Sequence, residues 1–579
     1  MAGITSPSDM KLLLTTLHAK YSHASLALPC LAVCCRNLTG METVIREWTV
    51  NEPRDQILRQ IMAEEAEVIA FSCYIWNIED TLRLVSDIKK ITADTVIILG
   101  GPEASFGVFE LMHENPAVDF VIKGEGEKVF RQLLEAVIDR QLHPLQKSPD
   151  IFGEIENLFY RENGDIISSP LNAAPLLPDS IPSPFEAGLV NLEKPLIYYE
   201  TSRGCPFSCA FCLSSLEGQV RSFTPLRIES DLLFLMDRHV SQIKLVDRTF
   251  NYDARRADRI WEYILEHNRC SHFHFEIAAD LLTDDNLSLL RQVPPKTFRF
   301  EIGVQSTSRD TLERVGRTAD LDRICANVRR LRDETEVELH LDLVAGLPGE
   351  NYRGLLDSLQ LVSDLKPHVI QIEPLKVLKG SPMREIAKRE GYRYSNSPPY
   401  TILSTPWLSF NDIGRVETIG RLLDLFYNHG GFGQALHFMQ QRMSITRLMD
   451  MASRTNAGED LSGRSTRRTY ELFAHLTVPL LSETERYQLY DVLFFDYCCR
   501  EMPLLGKLPA FIADRQQECA WPSRRDLPDG LALPEGSRIK IFTFRFLRDY
   551  RSEEWQEMPV TVTFVYASVA GGGLRVIVT

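Results

Sequence analysis

Twice along this chain, short apolar runs alternate with amphipathic helical stretches, and that alternation constrains the fold more than any other feature. KLLLTTL (11–17), TVIREWTV (43–50), VIAFSCY (68–74), TVIILGG (95–101) and DFVIKGE (119–125) read as buried strands. PRDQILRQIMAEE, IEDTLRLVSDIKK and EKVFRQLLEAVID, lying between and after them, read as helices. Parallel strands need a crossover, usually a helix, so the pattern predicts a doubly wound α/β sheet of the flavodoxin type over residues 1–142. Such sheets bind ligands at the carboxyl ends of their strands. That edge carries His18, Tyr21 and Ser22, then Tyr74 and Trp76, then Gly100, Gly101 and the residues to Ser105, and finally Gly124, Glu125, Gly126 and Glu127.

The pattern breaks over residues 143–194, where PLNAAPLLPDSIPSP (170–184) is dense in proline. Proline fixes φ and removes a donor, so this stretch reads as a connector. The alternation resumes with PLIYYET, QIKLVD, HFHFEI, FRFEIG, VELHLDL and HVIQIE. Six strand–helix units predict a partial (β/α)6 barrel over 195–385, two units short of a closed one. Residues 386–579 read as a mainly helical domain ending in strands FTFRF and VTVTFVYA.

The chain has 579 residues and a net charge of −15, which gives no overall attraction for phosphate backbones; no nucleic-acid partner is expected. MAGITSPSDMK lacks a basic segment followed by an apolar one, and no run of eighteen apolar residues occurs, so neither a signal peptide nor a membrane span is expected. The expected compartment is the cytoplasm, where clustered cysteines bind metal or do redox work.

Three of the 12 cysteines fall at 205, 209 and 212 within RGCPFSCAFC. A C-x3-C-x2-C pattern arises by accident in roughly 0.005 of shuffled chains of this composition. It follows the first barrel strand, where barrels of this kind build active sites. Buried structural cysteines and a zinc site compete for the same spacing, although zinc lacks a local fourth ligand. An iron–sulfur cube held by three thiolates leaves one iron open.

With its aromatic residue before the third cysteine, RGCPFSCAFC resembles the signature of radical S-adenosylmethionine enzymes. EIGVQS (301–306), DLVAGLPGE (342–350) and LKVLKGSPM (375–383) resemble that superfamily's later strand motifs. The resemblance implies that Cys205, Cys209 and Cys212 hold a [4Fe–4S] cluster whose open iron binds S-adenosyl-L-methionine. It also implies that an external low-potential donor supplies an electron to release a 5′-deoxyadenosyl radical. Glu276 and Glu301, taken as strand ends, and Gln305 are the implied ribose or methionine contacts, and Gly346 lets backbone approach the adenine. The family's Gly-Gly-Glu after the second strand is replaced by VDRTFN (246–251), so Asp247 or Thr249 takes its place.

GGPEAS and KGEGEKVF resemble the fourth and fifth strand ends of the cobalamin-binding domain that precedes the barrel in one class of these enzymes. Gly100, Gly101, Ser105, Gly124, Glu125 and Gly126 are the implied cobalamin contacts. The motif that supplies a histidine below cobalt is absent, so Tyr74 or Trp76 is expected to cover that face. His18 and His23 read as packing residues. Cys30, Cys34 and Cys35 read as small hydrophobes in an apolar helix, as does the Cys498–Cys499 pair. The implied function is a cobalamin-dependent methyltransferase acting at an unactivated carbon of an unknown organic substrate. A cyclase or oxidase like anaerobic magnesium-protoporphyrin cyclase, and a methylthiotransferase-like RNA modifier, are the alternatives. YSNSPPYTILSTPWLSF (394–410) is expected to form a lid or wall over the substrate.

Overall fold

The computed structural model describes residues 10–142, 151–171, 174–216, 218–455, 461, 463–504, 507–512, 538–552, 555, 558–568 and 574–579. Its first sheet contains β1 (Met10–His18), β2 (Met41–Thr49), β3 (Val68–Ser72), β4 (Val96–Gly100) and β5 (Phe120–Ile122). These are parallel, in the spatial order β2-β1-β3-β4-β5, which is the flavodoxin-type winding. Helices cover both faces, so each strand interior is apolar on both sides: Leu13, Ile69, Phe71, Ile97 and Leu99 on one face, Leu12, Leu14, Val68, Ala70 and Ile98 on the other.

The stretch read as a connector contains more structure than its prolines suggest. β6 (Leu158–Glu162) and β7 (Asp165–Ser168) form a hairpin that adds antiparallel strands to β5. The proline-dense part begins only after this hairpin, and within it Pro178–Ser180 form a single 3-10 turn. Composition averaged over 143–194 hid a short apolar segment, LFY, whose consecutively buried residues Leu158, Phe159 and Tyr160 join the core.

The second sheet runs β8 (Ile197–Tyr199), β11 (Gln242–Leu245), β12 (His272–Ile277), β13 (Phe298–Gln305), β14 (Glu338–Ala345) and β15 (Val369–Pro374), all parallel and adjacent in that order. Between the first two lies a short antiparallel clip of β9 (Ser202–Arg203) and β10 (Arg221–Ser222). The six strands form the open barrel. Alternate residues of β12, β13 and β14 are fully buried under the helices, while the others face the lumen.

An open barrel leaves a bare edge on β15, which needs cover. The carboxamide of Asn428 provides it, accepting from Ile370 N at 2.9 Å and donating to Ile370 O at 3.0 Å as a neighbouring strand would. Helix Phe410–Leu423 lies beside it, close enough that a Cβ on Gly420 would stand 3.0 Å from Ile372 O. Barrel and C-terminal residues consequently share one apolar core. A hairpin of β16 (Arg393–Tyr394) and β17 (Ile402–Ser404) precedes that helix. The chain ends in an antiparallel sheet of β18 (Arg538–Phe546), β19 (Val560–Ser568) and β20 (Leu574–Val578), the last of which the sequence pattern did not reveal. Among the described residues, no helix is long and apolar enough to cross a membrane.

One turn at the ligand-binding edge of the first sheet depends on glycine. Gly101 has φ +98, and a Cβ there would lie 2.6 Å from Cys73 O. Gly101→Ala is expected to destabilise the protein by about 3 kcal/mol, through left-handed strain plus overpacking. The midpoint of urea unfolding measures it.

Candidate cofactor sites

The cysteine loop is fastened at both ends. Gly204 has φ +91, and a Cβ on it would lie 2.2 Å from Gln219 O, so the clip closes only over glycine. Ala210 N donates to Val315 O at 2.8 Å, and Met383 N donates to Ala210 O at 2.9 Å, threading the loop between the segments that follow β13 and β15. Cys205 Sγ lies 3.5 Å from Thr249 Oγ1, and Arg317 Nη1 lies 3.5 Å from Cys209 Sγ. Burial pushes the Cys209 thiol up, while the Arg317 guanidinium works the other way by favouring thiolate. All three cysteines are free of disulfides. Three thiols on one loop with a cation beside them suit an iron–sulfur cluster.

Of the two residues offered in place of the missing Gly-Gly-Glu, the structure excludes one. Asp247 is fully buried and accepts from Thr201 N (3.0 Å), Thr201 Oγ1 (2.5 Å) and Ser202 Oγ (2.5 Å), so it stitches two strand ends together. Thr249 is the one at the cysteines.

Gln305 sits at the end of β13 with φ +68, beside a register irregularity, and its Oε1 is buried without a partner. Arg317 Nε is likewise buried and unpartnered. Orphaned buried polar atoms next to the cysteine loop fit a polar cosubstrate. Glu276 is the penultimate residue of β12, and burial raises its carboxyl. Its register partner on the same rung is Glu301, the fourth residue of the eight-residue β13 rather than its end. Burial acts to raise its pKa, but His274 and Lys244 hold it well below the carboxylate range. Gly346 also differs from expectation. The space a Cβ would fill is taken by Ile402 Cδ1, 2.1 Å away, so it serves packing against β17.

The barrel lumen brings together residues not singled out from the sequence. Glu301 Oε2 lies 2.9 Å from Lys244 Nζ and 2.8 Å from His274 Nε2, and His340 Nε2 lies 3.0 Å from Asp342 Oδ1. Among the described residues, His274, Glu301 and His340 form the set of candidate metal ligands that converges within 4.8 Å. The Lys244 ammonium supplies positive charge there, bridging Glu276 and Glu301. The alternation in HFHFE and ELHLD was the lumen's legible signal, since period-two polar positions on barrel strands face inward.

At the edge of the first sheet is a cavity of about 200 Å³, lined by Ala70, Tyr74, Gly100, Gly101, Gly124, Gly126 and Arg203 among others. Cβ positions on Gly100 and Gly124 point into open space, whereas Gly126 abuts Leu31. Bare backbone around an apolar cavity fits the close approach of part of a large cofactor, such as its tail. Ser105 ties the two glycine turns together, donating to Gly101 O at 2.8 Å and accepting from Gly124 N at 3.1 Å. Glu125 turns toward the barrel, where Arg221 Nη2 meets it at 2.6 Å. Tyr74 and Trp76 stack 4.4 Å apart, and Trp76 is 43% exposed, so it is not core. His18 pairs with Glu47 at 3.0 Å, and the His23 ring rests on Tyr198. In helix Ala27–Cys35, burial pushes Cys34 up to about 11 and Cys35 to about 12, as for packed neutral thiols.

On the outer side of the cysteine loop is a groove of about 1020 Å³, lined by Phe207, Ser208, Gly316 and Arg317 among others.

With this geometry in place, comparison with known proteins assigns the class. Residues 12–134 match the B12 binding domain, 199–362 the Radical SAM superfamily, and 389–521 a domain of unknown function termed DUF4080. The chain therefore carries a B12 binding domain followed by a radical SAM domain, and the cofactors that follow from these two domains are cobalamin, a [4Fe–4S] cluster and S-adenosylmethionine.

The chain is 26% identical over 416 residues to 2-(S-pantetheinyl)-carbapenam-3-carboxylate methyltransferase of Streptantibioticus cattleyicolor, covering 65% of this chain and 57% of that protein. It is 24% identical over 401 residues to the cobalamin-dependent radical SAM methyltransferase TokK of Streptomyces tokunonensis, with the same coverage of 65% and 57%. The anaerobic magnesium-protoporphyrin IX monomethyl ester cyclase of Rubrivivax gelatinosus is 22% identical, covering 54% of this chain and 57% of the cyclase. The match thus spans little more than half the length of these relatives. In fold, the chain is similar to the cobalamin-dependent S-adenosylmethionine radical enzyme OxsB, with a TM-score of 0.58 at 15% identity over 84% of this chain and 83% of that one. It is also similar to TsrM of Kitasatospora setae, with a TM-score of 0.57 at 14% identity over 84% and 99%.

Two variants probe the loop and its support. Gly204→Ala is expected to lose most of its bound iron while the protein stays folded, read by iron analysis and circular dichroism. Glu350 is buried, with Ser306 Oγ and Ser358 Oγ donating to Oε1 and with Oε2 unpartnered, and burial raises its pKa to about 7. Because the folded pKa exceeds the unfolded one, wild type loses stability as pH rises from about 4.5 to 7. Glu350→Gln should gain on wild type between pH 5 and pH 8, by at most about 3 kcal/mol in urea unfolding.

Proposed function

We propose that this chain is a radical S-adenosylmethionine methyltransferase that uses cobalamin to place a methyl group on an unactivated carbon of an organic molecule. The observation that carries this reading is that the carboxyl edges of the two sheets face each other across direct contacts. Arg203, beside the cysteine loop, meets Glu127 of the first domain at 2.6 Å. Glu103, in the glycine turn after β4, accepts from Tyr400 Oη and pairs with Lys379 Nζ at 3.2 Å, both from the segment after β15. Two cofactor edges sharing one interface are what a reaction needing both cofactors at a single carbon requires.

The bound groups would supply an electron to split S-adenosylmethionine and a transferable methyl on cobalt. The chain's own residues orient and enclose. Thr249 and Arg317 flank Cys205 and Cys209. Gln305 offers a polar group at the end of β13, and Lys244, His274, Glu276 and Asp342 line the lumen for a polar substrate. Tyr400 and Ile402 are buried and form a wall beside the chamber, which keeps water away from a reactive radical. The groove at Phe207 and Gly316 gives an external low-potential electron donor an approach to Cys209. The methyltransferase activities of the two first-named relatives support the reaction class.

The test is anaerobic turnover of protein reconstituted with iron, sulfide and hydroxocobalamin, given S-adenosylmethionine and dithionite. Formation of both 5′-deoxyadenosine and S-adenosylhomocysteine is expected, and both should fall to background in Cys209→Ala. Deoxyadenosine without S-adenosylhomocysteine would replace this reading with cyclisation or oxidation.

A further inference from the structure

Arg203 ends β9, two residues before Cys205, yet its guanidinium lines the cavity of the other domain. There it meets Glu127 Oε1 at 2.6 Å, Glu200 Oε1 at 2.6 Å and Glu125 Oε1 at 3.4 Å, and its side chain is only 13% exposed. Arg221, its partner across the β9–β10 clip, holds Glu125 from the other side at 2.6 Å. Glu125 also accepts from Leu176 N at 3.2 Å. Glu125 and Glu127 belong to the turn that opens helix Glu127–Leu142, where Gly124 faces open space and Gly126 abuts Leu31.

A planar fork gripping several carboxylates is stiffer than a lysine contact of equal charge. Two residues of chain span about 7 Å at most, so little slack separates Arg203 from Cys205. Gly204 between them is pinned against Gln219, leaving that short link unable to absorb a shift. A ligand that settles the 124–127 turn must therefore also settle the cysteine loop, and linkage makes the effect reciprocal.

We propose that Arg203 is a positioning residue that couples the two cofactor sites, so that the corrinoid and the cluster each bind more tightly when the other is present. This rests on the reading that the chain binds both.

The experiment measures the Kd of hydroxocobalamin by tryptophan quenching, before and after cluster reconstitution, and the EPR spectrum of the reduced cluster with and without hydroxocobalamin. In wild type the Kd should fall about tenfold on cluster loading, within the range usual for coupled sites, and the spectrum should shift on adding hydroxocobalamin. In Arg203→Lys and in Glu127→Gln, on opposite sides of the contact, both cofactors should still bind while the Kd ratio approaches one and the spectral shift vanishes. The double variant should add nothing further. Arg309→Gln, which breaks an exposed pair with Asp322 3.0 Å away, should leave the coupling intact. Equal Kd values in wild type, or an undiminished ratio in both variants, overturn the proposal. Failure of wild type to bind one cofactor at all would instead overturn the reading it rests on.

Discussion

Five charged side chains hold the two halves of this molecule edge to edge: Arg203 and Arg221 from the barrel's entry clip, Glu125 and Glu127 from the first domain's last glycine turn, and Glu200 between them. Burial opposes the charge on Arg203, yet Glu200 and Glu127 keep its guanidinium protonated. Burial likewise raises the Glu200 carboxyl against the pull of Arg203. Such a network is costly to dehydrate and costlier to break on one side, so it tolerates one relative placement of the sheets and penalises others. That placement brings the cavity of the first sheet next to the cysteine loop of the second.

The second fastening lies on the opposite side, where Glu103 meets Tyr400 and Lys379 and where Phe106 packs on Gly380. Here the segment after β15 contacts the first domain directly. It covers the bare edge of β15 through Asn428 and fills the space above Gly346 with Ile402. Within 394–410, Tyr400 donates to Glu103 of the first domain's own glycine turn. A partial barrel lacks the two units that would close it, and the helices after 410 share its core in their stead.

The lumen shows a different economy. Lysine, histidine and carboxylate side chains pair with one another on neighbouring strands.

Much of this was legible in the chain itself. The order of strands in both sheets followed from apolar runs spaced by amphipathic helices, because parallel pairing leaves the chain few other ways to bury them. The cysteine loop followed from spacing alone, because ligands of one centre can be neighbours in sequence. What sequence did not carry is whatever depends on the meeting of distant segments. Glu125 lines the cavity and is also an interdomain anchor; Glu301 looked like a strand end and is mid-strand; Asp247 looked available and is fully bonded. Arg203 sat inside the quoted motif unremarked, since its partners lie 76 and 78 residues away. Local pattern determines which elements form and which face each side chain takes, because backbone periodicity is a short-range property. Which carboxylate meets which guanidinium is set only when the sheets dock, and that tertiary step decided the shape of the site.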